Sequence, residues 1–502
     1  MKSIKNYAKK NDVFIISTLI AVLIIVLGYI FSAELDSISG IIMSFVSDKF
    51  GWLYLAFVFA LCIFLGWLAF SKYGNIRLGD DTGKPEFSNF SWFAMLFCGG
   101  TGIGLVFWSI AEPLSHYAAP PAGIVPGTPE AADFSIRNCF LHWGITQWVC
   151  FAIVGLGIAY FQFRKKTNGQ ISTLLTPLVG EKAAVGAFGK TIDIFAVIVS
   201  FAGVATSLGL GVTQICGGLN HLWGISNNAN TWLIIIIGIT CVFLLSALSG
   251  VKRGIKFLSN INTYIALLLL SLGFIVGPKI PMFNTLVNGV GQHIQNFVSD
   301  TLMISPSGDN TWIMNWRVFY FAWFIAWTPF VGMFIARISK GRTIRQFIVG
   351  VVLIPTVFTI IWLSVFGTLG LNAVQDSTVP ELLKLIASPE TAVFIILEKY
   401  PLAKFISVII MLLLAIFFIT SADSATYSLS MMTSGGNLAP PKYKTFVWAI
   451  LEAAIAYILL SAGSLKALQT ASIATSLPFL FVMIAMCPAL IKELRKDKNG
   501  IR

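Results

Sequence analysis

Four glycines fall within six residues of FAMLFCGGTGIGLVFWSIAEP: Gly99, Gly100, Gly102 and Gly104. Glycine costs up to about 1 kcal/mol more than alanine at a helix position, so this cluster is expected to unwind a helix and free backbone carbonyls. The competing reading is close packing of helices through small residues. Aromatic residues crowd nearby segments. Trp143, Trp148 and Phe151 lie in HWGITQWVCFAI, and Trp323, Phe324 and Trp327 lie in FYFAWFIAWTPFVGMFIARI; Phe107 and Trp108 follow the glycines. A methylated ammonium donates no hydrogen bond from its head and is held by ring quadrupoles, at about 0.5–2 kcal/mol per contact. Any single ring could equally serve packing or an interfacial belt. In FFITSADSATYS, Asp423 stands beside Thr420, Ser421 and Ser424. Hydroxyls and freed carbonyls suit a hard cation such as sodium; back-bonding of the hydroxyls to their own helix is the alternative. Glu112 ends the glycine segment and is expected at its mouth.

These residues need a scaffold, and the scaffold is written in hydropathy. Of 502 residues, 56% are hydrophobic and only 11% charged, against roughly 25% charged in soluble domains. A water-facing surface cannot be built from so few charges, so the medium of this chain is lipid. Apolar runs long enough to span a bilayer lie near 13–33, 52–71, 91–117, 134–163, 191–218, 231–250, 256–278, 311–336, 346–371, 403–434, 445–464 and 467–491. The fold class is an all-α membrane protein of twelve transmembrane helices. The basic N-terminal start precedes an apolar run too long for a signal sequence and reads as the first span. The broken third span finds a possible counterpart five spans later, where Pro329 and Gly332 are expected to interrupt the eighth.

The basic residues test the count. Lys2, Lys5, Lys9 and Lys10, alternate loops, and the segment after the last span together hold 26 of the 34 Lys and Arg. That alternation puts both termini in the cytoplasm by the positive-inside rule. The net charge of +12 is therefore a topology signal; it forms no basic stripe for nucleic acid. Residues 281–304 and 380–400 alternate at helical period and are expected to lie along the membrane interface. Seven cysteines, all in or beside apolar runs, lack metal-ligand spacing, and four histidines (His116, His142, His221 and His293) form no catalytic pattern. An enzyme or a channel is disfavoured on these grounds.

GTGIGLVFWSIAEPLSHY, HWGITQW, AWTPFVGMFIARISKGRTIRQF and TSADS resemble the signatures of the betaine/choline/carnitine transporter family, with the resemblance spread over residues 10–495. It implies a 5+5 inverted-repeat core in spans 3–12. The expected divisions are two peripheral helices (1–90), a first five-helix repeat (91–280), an amphipathic interfacial helix (281–310), a second repeat (311–492) and a short cytoplasmic tail (493–502). A homotrimer in a bacterial or archaeal cytoplasmic membrane and alternating access are implied too. The resemblance assigns the substrate to Trp143, Trp148, Phe151, Trp323, Phe324, Trp327, Phe107 and the backbone at Gly100, Gly102 and Gly104. It assigns sodium to the carbonyls of Cys98, Thr101 and Phe417 and the hydroxyls of Thr420 and Ser421. Phe151 stands where relatives often have Tyr, and Phe324 where they usually have Trp. Gly104 resembles sodium-coupled members, whereas proton-coupled choline carriers tend to have Asp there. The short tail differs from the long charged extensions of osmosensing members. The function implied is sodium symport of glycine betaine or an analogue such as carnitine, butyrobetaine or choline, with no cofactor besides the ion. The alternative is ion-independent exchange of carnitine-like compounds, whose carriers lack both the GxGIG and TSADS patterns.

Overall fold

A computed structural model describes residues 11–31, 35–461 and 465–497. The basic residues Lys2, Lys5, Lys9, Lys10, Lys498 and Arg502, and the expected ends of the first and eleventh spans, lie outside the described residues. Among those described, eleven helices are long and apolar enough to cross a membrane; a bent pair, Asn89–Gly100 and Gly102–Ala118, makes the twelfth. In order the others are Asp12–Ile30, Leu35–Phe70, Pro129–Arg164, Ala187–Trp223, Ala229–Ser249, Lys256–Val276, Thr311–Ile338, Ile344–Ala373, Ala403–Met432, Lys442–Ser461 and Leu465–Leu494. The bent pair is the third span.

Local chemistry starts and stops these helices. Ser88, Thr128 and Asn228 cap spans three, four and six through side-chain oxygens, and Pro129 follows its cap at the position where a missing N–H costs nothing. Thr343 and Gln346 form a capping box on the ninth span. The fifth span ends on Gly224 in the left-handed region at φ +67°.

Burial separates an inner from an outer set. The apolar window of the eighth span is wholly buried and that of the fourth 94% buried, against 22% for the first and 28% for the sixth and seventh. The outer helices present exposed apolar side chains such as Leu19, Leu23, Ile234, Leu245 and Leu268, the surface that lipid covers. The first stretch expected at the interface is a helix, Lys279–Thr301, that packs Gly289 against Ile136 and Phe140 of the fourth span and leaves Phe283, Val287, Ile294 and Val298 exposed. The second expected interfacial stretch is two helices, Val379–Ile386 and Pro389–Leu397. Pro389, lacking an amide hydrogen, starts a new helix instead of continuing the first.

The basic loops meet on one face. Arg164 pairs with Asp81 and with Asp497, the latter at 3.0 Å. Arg337 pairs with Glu86 at 2.9 Å, and the Arg342 guanidinium lies 3.6 Å from the Trp92 ring centre. Loops after spans two, four and eight and the segment after span twelve thus share one side. On the opposite face Arg137 pairs with Asp300 at 2.7 Å, and buried Arg317 donates to the Asp300 carbonyl and to Asn138.

The expected break in the eighth span is not found. Phe319–Ile338 is one continuous α-helix with Pro329 inside it, preceded by a single π-helical turn at Met314–Val318. Proline removes one hydrogen bond, a loss that a helix buried on every side tolerates. The third span does break, at a single residue: the two segments meet at 67° around Thr101, and Gly102 takes φ +56°. That conformation costs any residue with a Cβ roughly 1–2 kcal/mol. A second irregularity lies in the fourth span at Gly144, between Trp143 and Ile145.

Candidate functional site

The break in the third span faces the tenth. The Ser421 hydroxyl lies 3.5 Å from the Cys98 carbonyl oxygen, and a Cβ on Gly102 would come within 2.9 Å of that hydroxyl. On the preceding residue, Thr420 Oγ1 sits 3.1 Å from the Phe417 carbonyl and 3.0 Å from that of Ile416. Thr420 therefore also makes the back-bond open to a helical threonine. The Thr101 hydroxyl is buried without a partner beside the break. The structure thus gathers Cys98, Phe417, Thr420, Ser421 and the Thr101 corner at one junction of two spans. Every donor atom there is an oxygen, the set a hard monovalent cation takes.

Against the same break stand the rings of spans four and eight. Trp143 meets Trp323 and Phe324 with centroids 6.1 Å apart in each case. Phe151 meets Phe324 at 6.2 Å and stacks on Trp327 at 6.5 Å; Trp148 meets Phe151 at 5.8 Å. The backbone of the third span closes the cage. A Cβ on Gly100 would lie 2.6 Å from the Trp148 ring, and one on Gly104 would lie 2.6 Å from Trp143 and 3.2 Å from Trp323. These glycines serve both readings of the sequence at once, since helix and indole approach closely where the helix is also broken. Gln147 donates to the Gly100 carbonyl at 3.1 Å. Trp327 is anchored by its indole N–H on the Gly203 carbonyl of the fifth span at 2.9 Å, whereas the N–H groups of Trp148 and Trp323 are buried without partners. Phe107 is buried, and its ring packs on Trp108 at 4.9 Å, outside the cage contacts just described.

Glu112 is not at the mouth of its helix. It is fully buried and is the acceptor around which one wall is hung. His142 Nδ1 lies 2.6 Å and His116 Nε2 3.3 Å from its Oε1; Trp143 donates to Oε2 at 2.7 Å and Tyr320 at 2.5 Å. A carboxylate accepting this many bonds needs no further counter-charge nearby to be tolerated in a dry site. Cys139 Sγ lies within 4.8 Å of ligand atoms of Glu112 and His116, but both carboxylate oxygens already accept hydrogens, so the cluster is a hydrogen-bond hub. Tyr320, which sequence reasoning missed, touches Trp143 at 5.5 Å, Phe324 at 5.7 Å and Trp323 at 5.9 Å. It stands three and four residues before Trp323 and Phe324, on the same helix face. The phenol restores an electron-rich ring to a cage with Phe at 151 and 324. Asp423 lies on the side of the tenth span that faces the sixth and accepts from Ser246 at 2.5 Å; buried Glu452 of the eleventh accepts from Thr426 at 2.5 Å.

A polytopic helix bundle that encloses a ring-lined cage beside an oxygen-rich helix break defines a membrane carrier for a small solute. The family model described as betaine/carnitine/choline family transporter matches residues 12–499. The chain is 43% identical over 492 residues to a probable glycine betaine transporter of Desulfitobacterium hafniense, covering 97% of this chain and 98% of the relative. It is 44% identical to the glycine betaine transporter OpuD of Bacillus subtilis (98% and 96% covered) and 40% identical to an ectoine/hydroxyectoine transporter of Virgibacillus pantothenticus (97% of each). The chain belongs to the betaine/carnitine/choline transporter family, and it is a multi-pass membrane transporter, not an enzyme.

Proposed function

We propose that the chain carries glycine betaine, or a close analogue such as carnitine, butyrobetaine or choline, by sodium symport with alternating access. The observation that carries this reading is the junction itself. The cage of Trp143, Trp148, Trp323, Phe324, Trp327 and Tyr320 closes on the same helix break whose Cys98 carbonyl faces Ser421. A methylated cation held by three or four ring faces gains roughly 1.5–8 kcal/mol, at about 0.5–2 kcal/mol per face. An ion bound at the break fixes the corner that carries Gly100, Gly102 and Gly104, so ion and solute favour one another's binding without touching. The glycine betaine names of two relatives above 40% identity support the cargo, and the intact GxGIG and TSADS segments weigh against ion-independent exchange. The 5+5 repeat, a homotrimer and a bacterial or archaeal cytoplasmic membrane with both termini inside belong to the same reading.

The test is uptake of labelled glycine betaine into proteoliposomes with and without an inward sodium gradient. Uptake is expected to require the gradient, and Thr420→Ala with Ser421→Ala to abolish the sodium stimulation while cage binding persists. Equal uptake without sodium, or stimulation unchanged in the double variant, refutes the coupling.

A further inference from the structure

On the face away from the basic loops, the start of the second span and the turn before the eighth enclose a cavity of about 450 Å³. Ser44, Ser47 and Asp48 line it from span two, at spacings that put them on one helix face; Asp309 and Asn315 line it from the other side. The turn that carries Asp309 is held by Asn310, which accepts from the Ser305 amide at 2.8 Å and donates to the Ser305 carbonyl at 2.7 Å. One turn further along the same face of span two, a Cβ on Gly51 would lie 2.9 Å from Met314 Sδ, so the two elements close tightly beneath the cavity. Each carboxylate engages one oxygen locally. Asp48 Oδ2 accepts from Ser44 at 2.9 Å, and Asp309 Oδ1 accepts from the Thr311 N–H at 2.8 Å and hydroxyl at 2.6 Å. No basic side chain lines the cavity; Lys49 lines only the adjoining crevice. Ser47 is the independent sign of a ligand. It is 3% exposed, lines the cavity, and its hydroxyl has no hydrogen-bond partner. A helical serine commonly bonds back to a carbonyl three or four residues before it. This one does not, and a buried hydroxyl left unmet costs free energy, so its oxygen is available to a group held in the cavity.

The geometry points to a site for a hard divalent cation of the calcium class, held between Asp48 and Asp309 with Ser47 as a further oxygen, that ties span two to the start of span eight. Two carboxylates without a basic partner match the charge of one divalent ion. The carboxylates, the hydroxyls and the Asn315 amide offer oxygen, with no thiol or imidazole among them. Calcium adapts to an irregular set of roughly six to eight oxygens and takes water for those the protein does not supply, whereas magnesium demands near-ideal octahedral geometry. With only two charged ligands the affinity belongs to the weak class, roughly 0.1–1 mM. None of the cage or helix-junction residues takes part, so the site stands or falls independently of the transport reading. Its route to the cage is span eight, whose π-helical turn Met314–Val318 follows the site directly and leads into the helix carrying Trp323, Phe324 and Trp327.

The experiment is thermal unfolding of the purified full chain titrated with calcium chloride, for the parent, Asp48→Asn, Asp309→Asn and Ser47→Ala, with magnesium chloride and with potassium chloride at matched ionic strength as comparisons. The parental melting temperature is expected to rise with a midpoint at roughly 0.1–1 mM calcium, and magnesium to need about tenfold more. Potassium chloride is expected to give no such rise. Asp48→Asn and Asp309→Asn should each move the calcium midpoint up by about tenfold, through the loss of one ligand charge, and Ser47→Ala by about threefold. A parental melting temperature that ignores calcium, a rise reproduced by potassium chloride, a magnesium midpoint at or below that of calcium, or a calcium midpoint unchanged in both Asn variants overturns the site. If Asp309→Asn does not fold for want of its bonds to Thr311, the midpoint of Asp48→Asn alone decides, since that carboxylate is exposed and caps no helix.

Discussion

Replacing Glu112 should separate the wall it supports from the solute it never touches. Its Oε2 accepts from the Trp143 indole and the Tyr320 hydroxyl, and its Oε1 faces His142 and His116. Indole N–H is a donor only, so Trp143 needs an oxygen. The histidines are adaptable: His142 Nε2 and His116 Nδ1 have no partner, so each ring can move its proton there and present a bare nitrogen. Glu112→Gln can then keep its carbonyl oxygen on Trp143 and Tyr320 and turn its NH2 to the histidines. The loss is the charge assistance on two bonds, about 1–2 kcal/mol in all. Glu112→Leu has no such solution. It leaves two buried donors on Trp143 and Tyr320 unpaired, at roughly 1–3 kcal/mol each, and frees Trp143 to swing from its contact with Gly104. Losing one ring face from the cage adds about 0.5–2 kcal/mol to binding, or roughly a two- to thirtyfold rise in KM. The measurements are thermal unfolding of purified protein and glycine betaine uptake kinetics, with Trp fluorescence reporting the indole environment. The expected order is parent, then Glu112→Gln with a few-fold higher KM, then Glu112→Leu with both stability and affinity lost. A Glu112→Leu protein with parental melting temperature and KM would refute the hub as the support of the cage.

Two further outcomes follow from the geometry. Gly102→Ala places a Cβ 2.9 Å from the Ser421 hydroxyl and 3.1 Å from the Trp327 ring at φ +56°; uptake is expected to fall at least tenfold, from about 1–2 kcal/mol of backbone strain plus displacement of a proposed ion ligand, and parental uptake would contradict the role of the corner. Burial, assisted by Arg137, lowers the pKa of His293 on the helix Lys279–Thr301 to about 4. The unfolded chain takes up this proton near pH 6.5 while the folded one does not, so stability should be full above about pH 6.5 and fall by up to roughly 1.4 kcal/mol per unit as pH drops toward 4. His293→Leu should flatten that slope in thermal unfolding between pH 7 and 4.5, and an unchanged slope would remove His293 as its source.

The glycine cluster announced a break in the third span, and the structure puts it at Gly102, where only a residue without a Cβ is comfortable. The same logic applied to Pro329 misjudged the eighth span, because a lost hydrogen bond matters less than the packing that holds a helix from all sides. Glu112 and Tyr320 were hidden for a related reason. Glu112 lies near a helix end in sequence, yet the neighbouring spans rise past it and bury it. Tyr320 lies in a segment apolar on every face, where no period marks the side that looks inward.

By itself, the sequence determined that this protein lives in lipid, how many times its chain crosses, and which loops share a side, because hydropathy and charge are local sums along the chain. It also carried the glycines, indoles and hydroxyls of the site, since those residue types are costly or rare where they stand. Only the tertiary structure decided which rings form one cage and that a buried carboxylate holds Trp143 in it. Those facts depend on how each helix is turned about its own axis, and that rotation is set by contacts among residues far apart in the chain.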